Sequence, residues 1–155
     1  MSIEIVLVEP EIPQNTGNIV RTCAATKTKL HLVEPMGFSI DEKQVKRAGL
    51  DYWHLVEIET HKSLQAFLDK YESSRRLFYA TTKAKAHYAQ VEYQPGDMIL
   101  FGKETKGLPE DFLFANPERC LRMPMSPDSR SLNLSNAVAV FTYEALRQLD
   151  FPDLY

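Results

Sequence analysis

Two hydrophobic patterns alternate along the chain. The first is a short, nearly continuous apolar run bounded by turn residues. It occurs at residues 3–8 (IEIVLV), 29–33 (KLHLV), 77–81 (LFYAT), 97–101 (DMILF) and 120–123. Runs of this length, rich in β-branched and aromatic residues, predict buried strands. Residues 53–58 (WHLVEI) alternate and predict a further strand. The second pattern repeats at helical spacing. Leu64, Phe67, Leu68 and Tyr71 mark a helix over 63–71, and Leu134, Val138, Phe141, Ala145 and Leu149 mark one from 134 to 149. Pro10 and Pro13 predict an extended segment after the first strand. Asn15 to Asn18 then read as a capped entry to a helix over 19–26. Asp41 can cap a short charged helix running to Ala48 and closed by Gly49, and a short helix starts at Leu108-Pro109-Glu110. Strands alternating with helices predict an α/β domain with a mostly parallel sheet flanked by helices, here one domain over residues 1–155.

Composition narrows the class. Hydrophobic residues make up 44% of 155, enough for a core without disulfides. Cys23 and Cys120 match no C-x-x-C pattern and read as buried, reduced thiols. No secretory leader and no apolar run near 18 residues is present, so the reading is a cytoplasmic protein with no membrane partner. The net charge of −3 counts against a strongly basic nucleic-acid binder. It leaves room for a local basic patch, for which the candidates are Lys27 and Lys29, Lys43, Lys46 and Arg47, and Lys83 and Lys85.

Several chemistries fail on spacing. No G-x-G-x-x-G occurs, which argues against an ordinary dinucleotide fold. Gly102 and Gly107 have the glycine spacing of a P-loop, but Leu108 and Pro109 stand where Lys and Ser or Thr would be needed. The serines of the 126–131 loop lie in no G-x-S-x-G. His31, His54, His61 and His87 are scattered without metal-ligand spacing, so no metal is expected.

Three segments with polar groups beside strands remain: IPQNTGNIVR (12–21), LFGKETKGLP (100–109) and MPMSPDSRSLNLSNAVAVFTYEALRQ (123–148). In a parallel sheet, loops at the carboxyl ends of strands converge on a crevice. Such a crevice could gather an arginine, a carboxylate, amides and a hydroxyl. Taken singly, each group also has a plain structural reading as a cap, a turn or a solvated side chain.

Together, N-T-G-N-I-x-R, F-G-x-E-x-x-G-L-P and M-P-M-x-x-x-x-R-S-L-N-L-S-N-A closely resemble the three motifs of the SPOUT superfamily, the α/β-knot RNA methyltransferases. The similarity runs through essentially the whole chain. It looks like the minimal, single-domain branch, the tRNA (cytidine/uridine-2′-O-)-methyltransferases of the wobble nucleotide. The resemblance implies a C-terminal deep trefoil knot, which general topology rules would argue against. It also implies S-adenosyl-L-methionine as cofactor, the anticodon arm of tRNA as substrate, and a homodimer formed through the last helix and the first.

Carried over by position, the cofactor loops fall at Ala80 and Thr81, at Phe101 and Gly102, and at Leu121, Met123 and Met125, with Ser131 and Leu132 closing the pocket. Arg21 corresponds to the catalytic residue, proposed as base, with Asn15, Glu104, Ser131 and Asn133 as its polar shell. A guanidinium pKa above about 12 makes a base unusual, so a role in holding phosphate or a developing alkoxide stays open. Alternative readings are 2′-O-methylation of another tRNA or rRNA nucleotide, a non-catalytic RNA-binding module on the same fold, or a small-molecule α/β enzyme.

Overall fold

The structure, a computed structural model, describes residues 2–39 and 52–155. The helix expected over 41–48 and the basic residues Lys43, Lys46 and Arg47 lie outside the described residues. In chain order the elements are β1 (Glu4–Val8), α1 (Pro13–Thr26), β2 (Lys29–Val33), β3 (Ile58–His61), α2 (Leu64–Tyr71), β4 (Leu77–Ala80), β5 (Ala86–His87), β6 (Met98–Phe101), α3 (Glu110–Ala115), β7 (Cys120–Arg122) and α4 (Leu134–Gln148).

The strands form one sheet in the order β3-β2-β1-β6-β4-β7-β5. Every pairing is parallel. Strand parity divides the core. Ile5 and Leu7 of β1 join Leu30, Ile99 and Phe101 on the face covered by α1 and α4. Val6 and Val8 join Val33, Tyr79 and Leu100 on the face covered by α2 and α3. A sheet covered on both faces needs strands that are apolar throughout, which is why the uninterrupted runs read correctly as strands.

Two expectations need correction. The chain is not extended at Pro13. Helix α1 begins there, with Pro13 in its first turn and Ile12 as an N-cap whose side chain makes no cap bond. Proline suits that position because its φ is already helical and its missing N–H has no partner to lose. Residues 53–58 are not a strand either. Trp53–Leu55 form a single 3-10 turn, and the strand is Ile58–His61.

The alternation in 53–58 misleads because the inward groups of β3 are polar. Its Glu59 and His61 belong to a network between the sheet and α2. His31, fully buried, lies with Nε2 2.7 Å from Glu4 Oε1 and Nδ1 3.0 Å from Nε2 of His61. Donation from His31 to the Glu4 carboxylate leaves Nδ1 as the acceptor of the His61 N–H. Glu59 accepts from Lys29, Lys70 and the Tyr71 hydroxyl at 2.9, 2.6 and 2.8 Å. Arg75 donates to Glu4.

This network makes stability acid-sensitive. Burial opposes charge on Glu59, but bonds from Lys70, Lys29 and Tyr71 outweigh it and hold the carboxyl well below the usual range. At Glu4 burial is likewise outweighed by His31 and Arg75. A lowered carboxyl pKa contributes stability that is present above the ordinary value of 4.5 and lost as pH falls below it. Burial lowers the pKa of His61, so the unfolded chain takes up its proton first as pH falls through 6.5. Both signs agree. Urea midpoints should be level from pH 8 to 7, decline below 6.5 and fall further below 4.5. A midpoint unchanged from pH 8 to 4 would remove the network as the cause.

Candidate active site

The loops at the carboxyl ends of β4, β6 and β7 meet the start of α1 and the loop entering α4. They enclose a cavity of about 560 Å³. All nine residues expected to hold a cofactor line it: Ala80 and Thr81 after β4, Phe101 and Gly102 after β6, Leu121, Met123 and Met125 on and after β7, and Ser131 and Leu132 before α4. The Thr81 N–H donates to the Leu121 carbonyl at 2.9 Å, which locks two of these strand ends together. Phe101 and Leu121 are buried, whereas Leu132 is 46% exposed at the rim.

The 102–108 loop folds back on itself. Gly107 N–H donates to the Lys103 carbonyl at 2.8 Å, and Gly107 takes φ +69. The turn is so close that a Cβ on Gly102 would lie 2.0 Å from the Gly107 carbonyl carbon and 2.1 Å from Leu108 N. Gly102 is therefore fixed by backbone approach and Gly107 by conformation.

Of the five residues expected in the polar catalytic group, four line the cavity: Asn15, Glu104, Ser131 and Asn133. Their bonds assign them work. Glu104 accepts from the Glu11 and Ile12 backbone N–H groups at 2.8 and 2.7 Å, and from Asn15 Nδ2 at 3.2 Å. It thus supplies the cap that Ile12 cannot, from a distant part of the chain. Asn133 caps α4, its Oδ1 accepting from the Ser135 N–H at 2.9 Å. Ser131 is exposed at the rim.

Arg21 is not brought to this cavity. It lies on the exposed side of α1 with Gln14, Asn18 and Ala25, its guanidinium 5.0 Å from the centre of the Tyr52 ring. Six residues separate it from Asn15, which turns it about 120° around the helix from the side Asn15 presents.

Sequence reasoning missed the basic groups at the cavity. Lys103, Lys106 and Arg130 line it, as does the named candidate Lys83, which pairs with Glu110. Their signal was position, since all but Lys83 fall inside the quoted motifs. Lys29, by contrast, is no free surface cation, because Glu57 and Glu59 hold it at 3.5 and 2.9 Å. The histidines also proved less scattered than their spacing suggested. His31, His61 and Glu59 place ligand-type atoms within 4.8 Å of one another. Two lysines already neutralise Glu59, so the cluster reads as an internally satisfied ion network. Burial pushes the Cys23 thiol up to about 12, as befits a buried, inert thiol.

A tRNA (cytidine(34)-2′-O)-methyltransferase of Escherichia coli K12 is 54% identical over 151 residues, covering 97% of this chain and 96% of that one. A solved structure described as giving insight into 2-OH methylation of C/U34 on tRNA superimposes with a TM-score of 0.92 at 44% identity, over 96% of this chain and 97% of the other. The SpoU methyltransferase AviRb of Streptomyces viridochromogenes, solved with AdoMet, shares the fold at 20% identity with a TM-score of 0.86, over 96% of this chain and 61% of its own. The fold shared with these SPOUT neighbours implies the trefoil knot that the resemblance led us to expect. The model of the SpoU rRNA methylase family matches residues 2–143. The chain, with its parallel sheet and carboxyl-end cavity, belongs to the SpoU rRNA methylase family.

Proposed function

We propose that this protein transfers a methyl group from S-adenosyl-L-methionine to the ribose 2′-hydroxyl of the wobble nucleotide of tRNA, cytidine or modified uridine at position 34. The observation that carries the proposal is the convergence of all nine expected cofactor residues on one cavity, in a chain 54% identical to a tRNA (cytidine(34)-2′-O)-methyltransferase. The cavity fits the cofactor. Its volume of about 560 Å³ lies within the span of small-molecule sites. Its apolar walls at Phe101, Leu121, Met123 and Leu132 suit an adenine ring, and the strand-end backbone groups can read the ring's edges.

When bound, the cofactor supplies a sulfonium methyl for in-line displacement by the ribose oxygen. The protein must align that oxygen and accommodate its departing proton. Asn15, Ser131 and Asn133 are the polar side chains that could orient the ribose, with Glu104 holding Asn15. Lys103, Lys106 and Arg130 give the mouth the local positive charge that an acidic protein needs to hold RNA.

Arg21 does not line its own chain's cavity, so it acts from a surface that RNA or a second chain must cover. Helix α4 offers such a surface, with Val140 37% and Tyr143 47% exposed. A homodimer through α4 and α1 would bury both helices' outer stripes beside the site. A cytoplasmic location suits a tRNA substrate.

The test is to incubate the protein with unmethylated tRNA and labelled cofactor and to map the product nucleoside by mass spectrometry. Methyl on the ribose of nucleotide 34 is expected, from a species whose light-scattering mass is that of two chains. Methylation elsewhere overturns the substrate assignment, and a monomer that methylates overturns the dimer.

A further inference from the structure

The segment before α1 and the loop after β6 grip each other in both directions. From the loop, the Glu104 carboxylate holds the backbone N–H groups of Glu11 and Ile12 and the amide of Asn15. From the segment, the Glu11 carboxylate accepts the Thr105 backbone N–H at 3.1 Å and the Thr105 hydroxyl at 2.8 Å. Beside them Lys103 Nζ lies 3.7 Å from Glu9 Oε1. Glu104 and Thr105 line the cavity, as do Ile12 and Asn15, so both halves of this clasp belong to its wall. The segment has little room to yield on its other side. The Gly37 N–H donates to the Pro10 carbonyl at 3.0 Å, and a Cβ on Gly37 would come within 3.0 Å of the Glu11 carbonyl oxygen.

We propose that Glu11 and Thr105 are positioning residues that couple occupancy of the cavity to the first turn of α1. The inference rests on the cavity being the cofactor site. A ligand packed against the 102–108 loop restricts Glu104 and Thr105. Glu104 is the cap of α1, and Thr105 fixes Glu104 by tying the next residue of the loop to Glu11. Ordering the loop therefore orders residues 11–15, and with them the helix that carries Arg21. Without the Glu11–Thr105 half, Glu104 still caps α1, but the loop can pivot around it. Neither residue touches the reacting atoms; their effect passes through Asn15 and Arg21. A two-way clasp of this kind gives a coupling free energy between two sites, which acts equally in both directions.

The experiment compares wild type with Thr105→Val, Thr105→Ser and Glu11→Gln. Amide hydrogen exchange of residues 11–16 is followed with and without saturating S-adenosylhomocysteine, alongside kcat and KM for the cofactor. In wild type the ligand should slow exchange in this turn severalfold. Thr105→Val keeps only the backbone half of the Glu11 bond and Glu11→Gln only an uncharged acceptor, so both should lose part of that protection, with kcat falling about tenfold, as small misplacements of reacting groups do, while cofactor KM changes by less than about threefold. Thr105→Ser should restore both.

Ligand-induced protection and kcat equal to wild type in both disruptive variants would overturn the clasp while leaving the cofactor reading intact. Failure of wild type to bind S-adenosylhomocysteine by calorimetry would overturn both. Should Glu11→Gln fail to fold, Thr105→Val still decides, because it deletes a single surface hydroxyl.

Discussion

Replacing Arg21 with alanine is expected to slow methyl transfer by about 10²- to 10³-fold and to leave ligand binding in the cavity unchanged. The two halves of this expectation come from different observations. Arg21 lies away from the cavity lining, exposed on α1 and stacked on Tyr52. Its loss therefore deletes no contact to a ligand held among the β4, β6 and β7 loops, and S-adenosylhomocysteine should bind within about twofold of wild type. Its charge, however, is the natural partner for an RNA phosphate or for the oxygen that becomes negative as its proton departs. Removing a preorganised group of that kind typically costs 10²- to 10³-fold, so kcat should fall by about that amount.

Arg21→Lys separates the possible roles. Lysine keeps the charge but not the planar fork, so a bidentate phosphate contact should be only partly restored. Wild-type turnover in Arg21→Ala would sink both the base and the electrostatic role. Loss of cofactor binding would instead mean that Arg21 reaches the cavity.

Gly102→Ala should be the most destructive single-methyl change in the site. The new Cβ would meet Gly107 and Leu108 backbone atoms at 2.0 to 2.6 Å, and backbone closed into a turn cannot rotate aside as a side chain could. Relief requires moving residues 107–108, which opens the turn set by Lys103 and Gly107 and shifts the cavity wall. The cost is about 3 kcal/mol or more, equivalent to a drop in Tm of roughly 6–12 °C. S-adenosylhomocysteine affinity should weaken at least about tenfold, or about 1.4 kcal/mol.

Gly107→Ala is the informative contrast. A Cβ there meets open space, and only the φ of +69 opposes it. That strain is worth about 1–2 kcal/mol, so Gly107→Ala should melt well above Gly102→Ala and keep more of its ligand affinity. Equal melting temperatures for the two would show that crowding at Gly102 is not what shapes the loop.

Legibility in the sequence followed the source of each element's stability. Strands β1, β2 and β6 and helix α4 could be read because they are held by their own apolar side chains, whose spacing is visible locally. Strand β3 could not, because Glu59 and His61 face a polar network whose other members come from β1, β2 and α2. Strand β5 is two residues long and pairs in the sheet only with β7. The start of α1 was misplaced because its cap is a carboxylate 89 or more residues away in sequence. For the site, no single segment distinguished a ligand loop from a capped helix. Residues of the three motifs converge on one cavity wall. The position of Arg21 was not in the motif, because a motif lists residues without the helical angle between them.

The parallel sheet with β1 near its centre sets the order in which the molecule can be made. Strand β1 pairs β2 soon after synthesis, Glu4 opposite Lys29, but its other edge waits for β6, where Glu4 lies opposite Met98. Until residue 98 has left the ribosome, the nascent chain carries an apolar strand with one row of backbone donors and acceptors unpaired. That edge invites association with other chains. The cavity waits longer still, since its last wall enters only with residues 123–141. Long-range parallel pairings of this kind fold slowly. The cavity is thus among the last features to form, and a nascent chain lacks it until residues 123–141 have been added.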